Sequence, residues 1–205
     1  GCSYSTYGIN MIPFFIFYSM FGFQRVGDLI WAAADMRSKG FLIGGTAGKT
    51  TLAGEGLQHQ DGHSHLMAST IPNLKAYDPA YSYEIAVIIH HGLKDMYKWQ
   101  NNIFYYLTLE NENYIHPKLP SYDITDGIIK GLYCIKSNSK SKKIKVQLLA
   151  SGPMVNEIIK AADLLKEDWD IEASIWSVTS YSELHKEAES TNRWNNLHPN
   201  STKKV

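Results

Sequence analysis

The sequence predicts an α/β protein with parallel sheets flanked by helices. Residues 146–178 follow the order strand, amphipathic helix, strand, which implies a parallel strand pair with a right-handed crossover. A short apolar run, Phe41–Ile43, is bounded by glycines and is typical of a buried parallel strand. Of the 205 residues, 44% are hydrophobic and 20% charged, which is the balance of a packed protein rather than a disordered one.

The N-terminal elements are predicted from apolar spacing. Ile12–Tyr18 is rich in aromatic and β-branched residues, and because both of its faces are apolar we expect a strand central in its sheet. The helical spacing predicts a helix over Gln24–Lys39, with Gly40 as its C-terminal cap. Thr46–Pro72 has no sustained period and is predicted to be a long functional loop.

A second helix is predicted to open at Asp78-Pro79 and to continue to about Tyr97. Asp78 is a good N-cap, and proline suits the first helical position because the missing N–H has no partner there. Ile103–Leu109 then reads as a buried strand. Glu110–Tyr122 is polar and contains two prolines, so a linker is expected there.

The C-terminal part is predicted to alternate strands and helices around one solvated turn. The predicted elements are a helix over Thr125–Lys130, a strand over Leu132–Lys136, a turn over Ser137–Lys143, a strand over Val146–Ala150, a helix over Met154–Trp169, a strand over Ala173–Val178 and a helix over Tyr181–Leu197.

Composition excludes several classes of function. The formal net charge is zero, whereas nucleic-acid binding usually requires a basic surplus, so no nucleic-acid partner is expected. The most apolar stretch, Met11–Phe23, is shorter than the roughly 20 residues of a membrane span. It is therefore predicted to be a buried segment, with no membrane partner. The two cysteines do not form a metal or redox pattern and indicate a reduced, cytoplasmic protein.

The segment Gly44–Thr51, GGTAGKTT, invites comparison with a phosphate-binding loop. That motif requires four residues between its first glycine and the Gly-Lys pair, and here there are three. The following residues also lack a helical pattern. A nucleoside triphosphate site is therefore not expected, although a glycine loop near some anionic ligand stays open.

His59, Asp61, His63 and His65 form the pattern H-x-D-x-H-x-H, which leaves three interpretations open. The first is a metal site, which would suit a metal-dependent hydrolase built on His59, Asp61 and His63. The second is a hydrogen-bonded turn with partly buried histidines. The third is a catalytic loop whose histidines handle protons near neutral pH.

The aromatic run between residues 14 and 23 is most simply interpreted as core. Tyr18 and Phe21 fall where the predicted strand ends, however, and ligands of open α/β folds lie at the carboxyl ends of strands. An aromatic ring at that place can serve as a stacking surface.

Long stretches of the chain resemble one family. The residues that carry the resemblance are MIPFFIFYSMFGFQRVGDLIWAAADMRSKGFLIGGTAGKTTLAGEGLQHQDGHSH, TIPNLKAYDPAYSYEIAVIIHHGLKDMY, LTLENENY, KVQLLASG, SVTSYSEL and RWNNLHP. They resemble the homodimeric bacterial pyruvate dehydrogenases, the thiamine diphosphate-dependent decarboxylase component of the pyruvate dehydrogenase complex. The resemblance implies a transketolase-like fold, with a partial pyrimidine-binding domain at residues 1–120. It implies that residues 121–205 form a linker and the beginning of a transketolase-type C-terminal domain.

The same resemblance implies the cofactors and partners. Thiamine diphosphate would lie between the subunits of a homodimer, with Mg²⁺ held by residues outside this chain. The full enzyme would decarboxylate pyruvate and pass the acetyl group to the lipoyl domain of its dihydrolipoyl acetyltransferase partner, leading to acetyl-CoA and CO₂.

Four residues are implicated at the site by this resemblance. Phe21 corresponds to the aromatic residue that stacks on the aminopyrimidine ring of the cofactor, and Tyr18 to a neighbouring active-centre tyrosine. His59 corresponds to an active-site histidine of the GEGLQH segment. Arg25 corresponds to an arginine near the dimer interface.

The chain also departs from the family pattern at its start. The family has a run of small residues between Gly-Cys-Ser and Tyr-Ser-Thr, whereas here Ser3 is followed directly by Tyr4. The activating glutamate of the family would lie just before Gly1. The alternative is therefore a non-catalytic fragment or decayed copy, and we expect the 205-residue chain alone to be inactive.

Overall fold

A computed structural model describes residues 3–47, 56–111, 113–137 and 145–200. The chain divides into two compact units. The first comprises residues 1–75 and 89–115, and the second comprises residues 76–88 and 116–205. A 3₁₀ turn, Leu57–His59, and a π-helical turn, Lys94–Lys98, accompany the helices and strands. The elements in chain order are α1 (Ser3–Tyr7), β1 (Phe14–Tyr18), α2 (Ser19–Asp35), β2 (Phe41–Gly45), α3 (Ser64–Ser69), β3 (Leu74–Tyr77), α4 (Ser82–Leu93), β4 (Phe104–Thr108), α5 (Thr125–Lys130), β5 (Leu132–Lys136), β6 (Lys145–Ala150), α6 (Met154–Trp169), β7 (Glu172–Val178) and α7 (Tyr181–Leu197).

The first unit is built on a sheet with the strand order β1-β2-β4-β3. β1 pairs in parallel with β2, and β2 in parallel with β4. Every residue of β4 is buried, as expected of a strand with neighbours on both sides and cover on both faces. The parallel α/β architecture predicted from the sequence is therefore confirmed.

β1 lies at the edge of the described sheet, so the prediction of a central strand is wrong. Its side chains are largely exposed, with Phe14 at 48%, Phe15 at 55% and Ile16 at 70% of their accessible surface. Two apolar faces show only that a strand suits an apolar environment, whereas strand order depends on which strands pair.

Among the described residues, no helix combines the length and apolarity needed to cross a membrane.

α2 begins five residues earlier than the predicted helix and ends at Asp35. Its backbone is kinked at Val26 (φ −124°, ψ 17°), beside Gly27, and the apolar stripe that predicted the helix starts at this kink. Arg37, at φ 55°, takes the left-handed position after the helix. Gly40 is therefore not the cap of α2. Glycine suits position 40 for another reason, since a Cβ there would lie 2.8 Å from the carbonyl oxygen of Pro13.

The helix predicted to start at Asp78-Pro79 begins instead at Ser82. Asp78 is buried, and its carboxylate accepts a hydrogen bond from the Ser151 hydroxyl at 2.6 Å rather than capping a helix. Glu84 stabilises the start of α4 instead, because its carboxylate accepts hydrogen bonds from the backbone N–H groups of Ala80 and Tyr81. A local cap pattern could not reveal that Asp78 has a partner 73 residues away.

The second unit is built on a three-stranded sheet with the order β5-β7-β6. β6 and β7 are parallel, which confirms the predicted strand–helix–strand unit, while β5 runs antiparallel to β7. The predicted bounds of α5, β5, α6 and α7 agree with the structure. The described residues of 110–122 hold no helix or strand, and the turn predicted at Ser137–Lys143 lies, except for Ser137, outside the described residues.

A buried carboxyl group connects α4 to this second sheet. Glu84 has no exposed surface and accepts hydrogen bonds from the hydroxyls of Tyr133 on β5 (2.6 Å) and Ser177 on β7 (2.7 Å). Burial raises the pKa of Glu84 despite these bonds, and burial raises the pKa of neighbouring Tyr83 to about 12. The polar groups of this cluster are hydrogen-bonded to one another, as the large majority of buried polar groups are.

Candidate active site

The carboxyl ends of β1, β2 and β4 lie at one edge of the first sheet. The strand register places Tyr18 opposite Gly45, and Gly44 opposite Thr108. In open parallel sheets this edge is where loops and helix starts can enclose a ligand. α2 begins here, directly after Tyr18, so its first turn belongs to the same edge.

Three of the residues implicated by sequence come together at this edge. The ring centroids of Tyr18 and Phe21 lie 6.1 Å apart, and the His59 imidazole lies 5.9 Å from Tyr18 and 5.3 Å from Phe21. Both imidazole contacts are edge-on, the geometry that the quadrupoles of aromatic rings favour. Residues 38 and 41 positions apart in sequence thus form one aromatic cluster, which we call the aromatic site.

Arg25 adds a positive charge to the aromatic site. It lies one helical turn after Phe21 on α2, and its guanidinium carbon is 4.2 Å from the centroid of the Phe21 ring. A cation over a ring face is attracted to the negative side of the ring quadrupole. The four residues that the sequence implicated are therefore neighbours, while the location of Arg25 near a subunit interface stays a prediction.

His59 is presented by a short turn that follows a glycine. Gly56 has φ 89°, a left-handed conformation suited to glycine, and its carbonyl accepts the His59 N–H at 3.2 Å. Asp61 then organises the next residues, because its carboxylate accepts the backbone N–H groups of His63 (3.1 Å) and Ser64 (3.0 Å). The stretch 46–72 thus contains regular structure, contrary to the predicted loop, since side-chain caps stabilise turns too short for a helical period to show.

Three side chains of the H-x-D-x-H-x-H pattern contact different partners and do not converge on one point. Asp61 caps the start of α3, His59 faces the aromatic rings, and His65 hydrogen-bonds the Thr108 hydroxyl through Nε2 at 2.9 Å. Within the described ranges, no group of three His, Cys, Asp or Glu side chains could hold a metal ion. This arrangement favours the hydrogen-bonded turn and the catalytic loop over the metal-dependent hydrolase.

Gly44, the first glycine of the segment that resembled a phosphate-binding loop, has a packing role. A Cβ at Gly44 would lie 2.4 Å from the Tyr106 hydroxyl and 2.8 Å from the Ser19 Cβ, so only glycine fits between β4 and the start of α2. Residues 48–51 of the GGTAGKTT segment lie outside the described residues. Gly44 therefore allows α2 to pack closely on the sheet and thereby positions Tyr18 and Phe21.

Thr108 and Ser19 belong to this edge and were missed from the sequence. Thr108 is 2% exposed at the end of β4, and Ser19 is fully buried. Among the residues that the structure describes, the Ser19 hydroxyl has no hydrogen-bond partner. The available signal was a polar residue at the end of a buried strand, which is informative only when the strand order is known.

Family models match both parts of the chain. The model described as pyruvate dehydrogenase E1 component middle domain matches residues 1–117, and the transketolase-like TK C-terminal domain matches residues 131–205. Among curated proteins, the pyruvate dehydrogenase E1 component of Pseudomonas aeruginosa is 57% identical over 97% of this chain, and that of Escherichia coli K12 is 53% identical over 99%. The chain spans 22% and 23% of these two relatives.

Solved structures share the fold at low sequence identity. A transketolase from Campylobacter jejuni superimposes with a TM-score of 0.68 at 21% identity, covering 86% of this chain and 26% of that chain. A transketolase from Leishmania mexicana gives 0.65 at 18% identity, covering 86% and 24%. These likenesses show a transketolase-like fold, as the sequence predicted.

Proposed function

This chain belongs to the pyruvate dehydrogenase E1 component family, and on that premise we propose that it contributes one half of an active centre to a thiamine diphosphate-dependent pyruvate dehydrogenase. That enzyme would decarboxylate pyruvate and transfer the acetyl group to a lipoyl group. The observation that carries the proposal is the aromatic site, where Tyr18, Phe21 and His59 meet at the carboxyl edge of the parallel sheet.

The aromatic site suits a planar, weakly polar ring. We propose that the Phe21 ring stacks against the pyrimidine of thiamine diphosphate, while the Arg25 guanidinium covers part of the Phe21 ring and holds it in place. Tyr18, at the edge of the cluster and 48% exposed, would border the same ring. When bound, the cofactor would supply the nucleophilic carbon and the electron sink for decarboxylation.

His59 is proposed as the proton-handling group of the site. Its imidazole is part-exposed and touches both rings edge-on, so its nitrogen atoms can reach a substrate held beside the aromatic cluster. An imidazole can donate or accept a proton near neutral pH, and a positioned one typically contributes about 10²–10⁴-fold to rate. The Mg²⁺ that would neutralise the diphosphate is proposed to be held by residues outside this chain.

We further propose that residues 1–120 are part of a pyrimidine-binding domain and that residues 121–205 are the linker and beginning of a transketolase-type C-terminal domain. The two family matches, 1–117 and 131–205, support this division. A homodimer, a lipoyl domain of a dihydrolipoyl acetyltransferase as acceptor, and a cytoplasmic location complete the proposal. The designation of the relatives as an E1 component supports a multi-enzyme complex.

The test uses a hybrid enzyme in which this segment replaces the matched stretch of the Pseudomonas aeruginosa E1 component. We expect release of CO₂ from pyruvate that depends on thiamine diphosphate and Mg²⁺, together with acetylation of an added lipoyl domain, detected by mass spectrometry. The His59→Ala hybrid and the hybrid without thiamine diphosphate are the controls. A folded, dimeric hybrid that binds thiamine diphosphate and releases no CO₂ above the cofactor-free control would refute the proposal.

A further inference from the structure

We propose that His65 and Thr108 form a positioning pair that holds the turn carrying His59 at the carboxyl edge of the sheet. The inference deepens the proposed function and rests on it, because it assigns to the pair a role in placing the proton-handling imidazole. Neither residue would touch the substrate. Their effect on turnover would pass through His59.

The Thr108 end of the pair is a rigid anchor. Thr108 is the last residue of β4, is 2% exposed, and lies in register with Gly44 of β2. Its hydroxyl is 2.9 Å from Nε2 of His65, although the two residues are 43 positions apart in sequence. A bond between such distant residues restrains a local segment relative to the sheet, which neighbouring contacts within α3 cannot do.

The His65 end is firmly connected to the segment that it restrains. The His65 ring lies 5.5 Å from the ring of Tyr106, a fully buried residue of β4, so the imidazole is held by both a hydrogen bond and a ring contact. Ala68, one turn later on α3, is completely buried. α3 therefore contacts β4 through His65, and it also packs against α2.

The restraint reaches His59 through a short and internally bonded stretch. His65 lies six positions after His59, and between them the Asp61 carboxylate accepts the backbone N–H groups of His63 and Ser64. The His59 N–H is in turn bonded to Gly56. With little freedom left in this stretch, fixing His65 on Thr108 also fixes where the His59 ring meets Phe21.

Removing the Thr108 hydroxyl should therefore slow turnover more than it weakens cofactor binding. Misplacement of a reacting group by about 1 Å can cost around a hundredfold in rate. In the hybrid enzyme we expect Thr108→Val, which keeps the shape of the side chain, to lower kcat roughly ten- to a hundredfold. The half-saturating concentration of thiamine diphosphate should change less than about twofold. Thr108→Ser keeps a hydroxyl and should restore most of the rate.

Two further variants separate the pair from a general packing effect. His65→Ala should lower kcat as Thr108→Val does, and the double variant should be no slower than either, because both remove the same bond. Thr70→Val is the matched control, since the Thr70 hydroxyl is exposed and bonds only the local Met67 carbonyl among the bonds described for it. It should leave kcat unchanged.

Hydrogen–deuterium exchange of the unliganded hybrid gives a readout that does not depend on activity. Peptides covering residues 56–69 should exchange faster in Thr108→Val and His65→Ala, but not in Thr108→Ser or Thr70→Val. If the parent hybrid is inactive, the proposed function fails and the exchange data alone decide whether the pair restrains the segment. Equal exchange and equal kcat in Thr108→Val and Thr108→Ser would overturn the inference, as would additive losses in the double variant. Should Thr108→Val fail to fold, His65→Ala and His65→Gln carry the same comparison.

Discussion

Replacing Phe21 by alanine should selectively weaken the binding of thiamine diphosphate. The Phe21 ring is part-buried and contacts three neighbours: His59 at 5.3 Å, Tyr18 at 6.1 Å and the Arg25 guanidinium carbon at 4.2 Å. It is thus the central member of the aromatic site. Its loss would remove the proposed stacking surface and leave the other three groups without their common partner.

The expected magnitude follows from two contributions. An aromatic pair contributes about 0.5–1.5 kcal/mol beyond plain burial. The apolar contact that a part-buried ring loses with the cofactor adds about 1 kcal/mol. The sum of about 1.5–2.5 kcal/mol corresponds to a roughly ten- to sixtyfold rise in the half-saturating concentration of thiamine diphosphate.

The assay is a thiamine diphosphate titration of the hybrid enzyme, followed both by CO₂ release and by calorimetric binding. Phe21→Leu keeps apolar volume without a ring face and should lie between the parent and Phe21→Ala. Leu29→Ala, which removes an exposed side chain farther along α2, is the control for helix stability. A Phe21→Ala hybrid that retains its unfolding midpoint and changes the half-saturating concentration by less than twofold would refute the stacking role.

Three other outcomes are expected. His59→Ala should lower kcat by about 10²–10⁴-fold, while the affinity for the cofactor measured by calorimetry changes little. A His59→Ala hybrid with the kcat of the parent would show that His59 takes no part in proton transfer. Because burial raises the pKa of Glu84, the folded chain binds this proton more tightly than the unfolded chain, so the free energy of unfolding should fall as pH rises from about 4.3 through the folded-state value. Urea titrations of Glu84→Gln across this range should show a flatter profile, and an unaltered slope would contradict the assignment. At Asp95, burial opposes ionisation, but hydrogen bonds from Asn101, Lys75 and Tyr105 outweigh it and lower the pKa. The stabilisation that the ionised carboxylate provides should therefore be present above about pH 3.9 and be lost as pH falls. Thermal unfolding of Asp95→Asn should no longer show this loss.

The local elements of the second unit could be predicted from the sequence because each is specified within its own residues. Ser180 illustrates this, since its hydroxyl accepts the Glu183 N–H at the start of α7, a cap that a short sequence pattern encodes. The apolar stripe of α6, which includes Ala162, likewise packs on Ala173 and Ile175 of β7. Such signals lie within a few residues of the structure that they specify.

The aromatic site was predictable only in part. Tyr18 and Phe21 were conspicuous as aromatic residues at a strand end, but their meeting with His59 came from family resemblance and not from spacing. His65 and Thr108 show why spacing was insufficient. Their bond joins α3 to β4 across 43 residues, and no local pattern in either segment indicates the other.

By itself, the sequence determined the parallel α/β class, most helices and strands, and the family to which the chain belongs. Only the tertiary structure decided that β1 lies at the sheet edge, that Asp78 bonds Ser151 instead of capping a helix, and that Gly44 is required by close packing. The physical reason is the range of the interactions. Propensity, capping and apolar periodicity act within a few residues, whereas strand order, buried polar partners and the assembly of a site depend on contacts between segments distant in sequence.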